Sequence, residues 1–105
     1  MSKYWFGNHP SGRLLAGSVT KDFGSIGDGN EEAQAITVTG AALGDIVMAS
    51  FSLDVQDLQL TADVTAADTV TCVISSSGDT VDLSSGTLRV LVIPSGAIDD
   101  IITNA

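Results

Sequence analysis

From Ala33 onward, apolar and polar residues alternate with a period of two. Leu58, Leu60, Ala62 and Val64 form one such series and Val70, Cys72 and Ile74 another, each leaving Thr, Asp, Gln or Ser on the opposite side. Successive strand residues point to opposite faces, so this pattern predicts strands with one buried and one solvated face, the habit of antiparallel sheets. Six short runs qualify: AITVTG (35 to 40), DIVMASF (45 to 51), DLQLTADVT (57 to 65), DTVTCVIS (68 to 75), TVDLSS (80 to 85) and TLRVLVI (87 to 93). Connections rich in Gly, Ser, Asp and Ala separate them. The TAAD connection (65 to 68) is short enough for a hairpin, so the third and fourth runs are predicted to pair directly. The last run is apolar on both faces except at Arg89, which predicts a central strand or one covered by a partner chain. Pro94 ends it, since proline cannot donate to a ladder. Helical pattern is confined to about one turn in GAIDDIITNA (96 to 105) and to a start at Asn30 in NEEAQA that the following ITVTG cuts short. Six strands, or eight with pieces of the N-terminal segment, predict an all-β fold: a small antiparallel β-sandwich of jelly-roll or immunoglobulin-like type.

Residues 1 to 32 read differently. They hold the sole Trp and Tyr, two of the three Phe, the sole His, Pro10 and many glycines, and their apolar positions keep no sustained period. The expected organisation is therefore an extended N-terminal arm over 1 to 32, with one short strand at Arg13 to Thr20, followed by a β-sandwich domain over 33 to 105. Tyr4, Trp5 and Phe6 in such an arm need somewhere to be buried, and a Gly-rich segment cannot bury them on itself. They are expected to insert into the body or into a neighbour.

Charge sharpens this division. The net charge of −9 argues against nucleic acid as a partner, because binding to phosphate backbones rests on Lys and Arg, of which the chain has four. Lys3, Arg13 and Lys21 all lie in the first 21 residues, which contain no acid, whereas from Ala33 onward Arg89 is the sole base among nine aspartates. A mildly basic head thus precedes an acidic body. Lys, Arg and Glu together number six, so the solvent face is left to Ser, Thr, Gly and Asp, which lose little side-chain entropy on contact and suit lateral association. No apolar run approaches membrane-spanning length, and no signal-peptide pattern opens the sequence; a soluble protein made in a cytoplasm is expected.

The candidates for chemistry are few. Cys72 lies in an alternating strand and reads as a buried small apolar residue, and one Cys with one His, His9, cannot assemble a four-ligand zinc site. A dyad built on His9 would place its nucleophile partner in the arm. Asp54, Asp57, Asp63, Asp68, Asp79 and Asp82 stand at strand ends or turns, where oxygen-rich loops bind calcium. Asp and Ser also start turns through bonds to their own backbone, which explains SSGD and AAD without an ion. GSIGDGN (24 to 30) lacks the preceding strand and following Lys-Ser/Thr of a phosphate loop, and the body's single aromatic, Phe51, makes no sugar platform. No enzyme activity and no cofactor is expected.

The stretch from Ile36 to Ile93 resembles a module that recurs in tailed-phage virion proteins. The resemblance is carried by TGAALGD (39 to 45) with GTLRV (86 to 90), supported by TAADTVT (65 to 71) and Val81-Asp82-Leu83, and it covers a little over half of the chain. It is closest in kind to head decoration (cement) proteins, small β-sandwich proteins that sit as trimers over the junctions of capsid subunits. The resemblance implies a homotrimer that binds the major capsid protein on the outer surface of the virion head, with no nucleic acid or membrane partner and no catalytic residues. On that reading Lys3, Tyr4, Trp5, Phe6, Arg13 and Lys21 anchor the arm to the capsid. Leu91 and Ile93, which alternate against Leu88, Val90 and Val92, serve self-association. The alternative is a tail or fibre component that binds a host receptor.

Overall fold

The computed structural model describes residues 13 to 104. Eight strands precede one helix: β1 (Leu15–Lys21), β2 (Gly24–Ile26), β3 (Glu31–Thr37), β4 (Ile46–Phe51), β5 (Gln59–Ala66), β6 (Thr69–Ser75), β7 (Val81–Leu83), β8 (Gly86–Ile93) and α1 (Ser95–Asn104). They form two three-stranded sheets, ordered β1-β8-β4 and β3-β6-β5, and a two-stranded ribbon β2-β7, with every pairing antiparallel. The all-β fold expected from the alternation is the one observed. β5 and β6 pair through the expected hairpin, with Ala66 opposite Thr69 and a bulge between Val64 and Ala66. Its tip residue Asp68 adopts φ 61°, a left-handed conformation that aspartate tolerates better than most residues.

The two strands with the most complete apolar faces are the central ones. β6 contributes Val70, Cys72 and Ile74, all fully buried, and β8 contributes Leu88, Val90 and Val92. β8 lies in the middle of its sheet, one of the two arrangements expected for it, with Leu88, Val90 and Val92 turned inward and Leu91 and Ile93 turned outward. Burial of side chains of this size contributes about 1.5–3 kcal/mol each relative to exposure, so these two strands are the energetic centre of the fold. β1 approaches β3 closely because position 17 is glycine: a Cβ there would lie 2.9 Å from Val38 Cγ2 and 3.0 Å from Ile36 Cγ2.

The ribbon β2-β7 continues the β1-β8 ladder in the same register, Lys21 lying opposite Gly86 and Gly24 opposite Leu83. At the interruption Phe23 turns into the core, its ring 5.4 Å from that of Phe51 and tilted 60° to it. Gly86 leaves room for this pair, since a Cβ there would fall 2.7 Å from Phe51 Cζ.

Three expectations require correction. The body begins at Leu15 rather than Ala33, because β1 and β2 belong to the sheets and Phe23 and Ile26 are core residues. The short strand expected at Arg13 to Thr20 is observed as β1, but it pairs with β8 instead of lying in an arm; Gly17 and Lys21 at its inward positions weaken the alternation that would have shown this. NEEAQA does not start a helix: Glu31 and Glu32 open β3, opposite Ser75 and Ile74. The C-terminal helix runs for ten residues rather than one turn. Its first turn is held from outside, the Asp45 carboxylate accepting the Ser95 N–H at 2.8 Å while the Pro94 carbonyl accepts the N–H of Ala97 and Ile98.

Candidate binding surface

The outward faces of the two sheets differ in kind. On β3-β6-β5 the outward rows are Glu31, Ser75 and Gln59, then Ala33, Val73 and Thr61, then Ala35, Thr71 and Asp63. That face is mostly polar and hydroxyl-rich, with Thr65 and Thr71 joined through their hydroxyls at 2.8 Å. On β1-β8-β4 the rows are Ser18, Arg89 and Ser50, then Ala16, Leu91 and Met48, then Ile93 beside Ile46. A fourth row, Thr20 beside Thr87, is polar, so two of the four rows are wholly apolar and they adjoin at the Ile46–Ile93 end. Met48 is 57% and Ile46 47% exposed, and they lie on β4, an edge strand with no further strand beside it among the described residues. A shallow open depression of about 610 Å³ runs over this face, lined by Ala16, Ser18, Met48, Ser50, Arg89 and Leu91. Its shape follows from side-chain size, since Ala16, Ser18 and Ser50 are short on either side of Leu91 and Arg89.

More apolar surface lies at the Ile46–Ile93 end. Leu43 in the β3–β4 loop is 69% exposed, and Ile101 and Ile102 on α1 are also exposed. Asp45 ties that loop to the helix, its Oδ2 accepting the Ala42 N–H at 2.9 Å and its Oδ1 accepting that of Ser95.

Of the residues expected to carry function, Leu91 and Ile93 stand on this outward face, half-buried between β1 and β4. Arg13 is exposed just ahead of β1. Lys21 closes β1, half-buried, with its Nζ 5.9 Å from the centre of the Phe23 ring, a placement that engages it in packing within the body. Lys3, Tyr4, Trp5, Phe6 and His9 lie outside the described residues. Met48 and Ile46 are the surface residues that sequence reasoning did not single out. Their run, DIVMASF, is apolar at both parities, which was the available signal.

Several aspartate carboxylates accept bonds from the backbone. Asp22 takes the Gly24 N–H, Asp54 that of Gln56 and Asp68 that of Gly40, each at 2.8–2.9 Å. Ser76 donates to the Asp79 carbonyl within the SSGD turn. Among the described residues no three His, Cys, Asp or Glu side chains come together to hold a metal ion. The Cys72 thiol is buried, and desolvation pushes its pKa up, which keeps it protonated and poorly nucleophilic. Among the described residues no helix is long and apolar enough to cross a membrane. Comparison of the chain with protein-family models, curated proteins and solved structures finds no match.

Proposed function

We propose that this chain is a tailed-phage capsid decoration protein that binds the outside of the head as an oligomer and holds neighbouring capsid subunits together. The observation that supports this reading best is the apolar outward face of β1-β8-β4, set on a body whose other sheet face is polar. A rigid domain with one adhesive face is suited to burying that face against its own copies, as symmetric oligomers do. Leu91, Ile93, Ile46 and Met48 supply the apolar contact. Tyr4, Trp5 and Phe6, with Lys3 and Arg13 close by, supply an anchor of aromatic and basic character toward the major capsid protein. Three chains with three anchors convert modest single contacts into avidity, which suits a clamp repeated at many equivalent sites. The phage-module resemblance of residues 36 to 93 points the same way.

Copy number tests this directly. Densitometry of purified particles that carry the chain, scaled to their major capsid protein, is expected to give hundreds of copies per particle. A few copies per particle would instead indicate a tail or fibre component. Deletion of residues 2 to 12 is expected to abolish capsid binding, and unchanged binding would remove the anchor from the reading.

A further inference from the structure

The outward face of β1-β8-β4 exposes Met48 and Ile46, and the sequence places the large aromatics Tyr4, Trp5 and Phe6 a short distance ahead of that sheet. β1 begins at Leu15, which lies opposite Val92, so the N-terminal segment joins the sheet at the end where Ile93 and Ile46 pair. Leu15 lies nine positions after Phe6, with eight residues between them. That length spans up to roughly 30 Å when extended, whereas Leu91 sits on the adjacent strand about 5 Å away. The segment between holds Gly7, Pro10, Ser11 and Gly12, residue types that favour the chain reversal needed to bring the triplet back over the sheet.

We propose that Tyr4, Trp5 and Phe6 pack onto the outward face of their own β1-β8-β4 sheet, with Trp5 in the depression between Met48, Leu91 and Arg89. The chemistry of the depression matches an indole. Leu91 and Ala16 offer a flat apolar floor, Met48 a thioether that favours aromatic edges, and Arg89 a guanidinium suited to lie over an aromatic face. Arg89 is the sole base after residue 32, and it stands among serines rather than acids in its row. A segment tethered this closely acts at an effective concentration in the millimolar range, so it covers the face ahead of a second copy at ordinary protein concentrations. One contact then shields both adhesive elements of the chain, and both are released together when the segment leaves. This contact does not depend on what the protein decorates.

Trp5 is the single tryptophan of the chain, so its fluorescence reports the contact alone. In the full-length protein, emission is expected to lie to the blue of free tryptophan in water, to resist acrylamide quenching and to stay constant on dilution. Met48→Glu and, separately, Arg89→Ser are expected to move emission to the red and raise quenching while the far-ultraviolet circular dichroism stays unchanged. Emission like that of free tryptophan in the unmodified chain would overturn the proposal. So would a blue shift seen only at concentrations where sedimentation shows oligomers, since the occupant would then be a neighbour's segment. A blue shift indifferent to both substitutions would place Trp5 elsewhere and overturn it as well. None of these readings involves capsids, so the proposed function stands or falls separately.

Discussion

The Asp45 carboxylate accepts the backbone N–H of Ser95 at 2.8 Å, joining two residues fifty positions apart in sequence. Ser95 opens α1, where the first amides have no partner inside the helix, so Asp45 acts as a cap supplied from the β3–β4 loop. Its second oxygen holds the Ala42 N–H, which fixes the loop that presents Leu43. Asp45→Ala is expected to cost about 1 kcal/mol, at the scale of a lost helix cap. Amide hydrogen exchange is the sharper check. Protection is expected to fall at α1 and at Ala42 while β6 and β8 keep theirs, and uniform loss across the sheets would contradict a local role.

Gly17 and Gly86 are space-limited rather than conformation-limited positions, since neither carries a positive φ. A methyl group at Gly17 meets the side chains of Val38 and Ile36, and one at Gly86 meets the Phe51 ring. Gly17→Ala is expected to destabilise the domain by about 1–3 kcal/mol, the usual cost of overpacking a filled core. Gly86→Ala should fall in the same range, with a perturbed Phe23–Phe51 pair visible in the aromatic circular dichroism. Urea unfolding of both variants tests this, and a gain in stability at either site would show that the layers can separate without strain.

The sequence disclosed β4, β5, β6 and β8, whose inward positions are uniformly apolar, and the short β7 within TVDLSS; strict alternation with polar residues holds in β5 and β6, whereas β4 and β8 are apolar at both parities. It disclosed β1 as a short strand near Arg13 to Thr20 but not its membership of the core sheet, since Gly17 and Lys21 take inward places, and it concealed β2, whose three residues are too few to show a period. β3 was recognised only in its second half, since Glu31, Glu32 and Ala33 are all exposed and form strand solely by pairing with β6. α1 was underestimated because its cap comes from Asp45, a contact invisible to any local reading. Leu91 and Ile93 were legible as an outward pair from alternation alone. That Met48 and Ile46 stand beside them depends on β4 pairing with β8 across a long stretch of chain, a register that alternation does not specify.

Cys72 gives a pH prediction. Its pKa is raised by burial, so the folded state holds the thiol proton where the unfolded chain releases it. The unfolded state then binds fewer protons, and stability falls as pH rises above the unfolded value of about 8.5. The fall continues until the folded pKa is passed, while below about pH 8 this contribution is fully present. Cys72→Ala removes the titration, so its stability is expected to lose less between pH 8 and 10 than that of the unmodified chain. Parallel slopes in urea midpoints over that range would show that the thiol ionises equally in both states. At neutral pH the native thiol is also expected to resist Ellman's reagent and to react fully in denaturant.

On the proposed packing of Tyr4, Trp5 and Phe6 over the outward face of β1-β8-β4, removal of residues 2 to 12 exposes that face without touching the sheets, which start at Leu15. The truncated chain is expected to self-associate more strongly than the full chain in sedimentation equilibrium, because Ile46, Met48, Leu91 and Ile93 lose their cover. Ile46→Lys in the truncated chain places a charge on the exposed edge strand and is expected to weaken association about tenfold, the consequence of roughly 1.4 kcal/mol at a contact site. The same substitution should leave the urea midpoint nearly unchanged, since surface replacements of this kind stay within about 0.5 kcal/mol. Stability and association are therefore read separately. Equal association of full and truncated chains would mean that this face is neither covered nor adhesive, whatever the fate of the capsid reading.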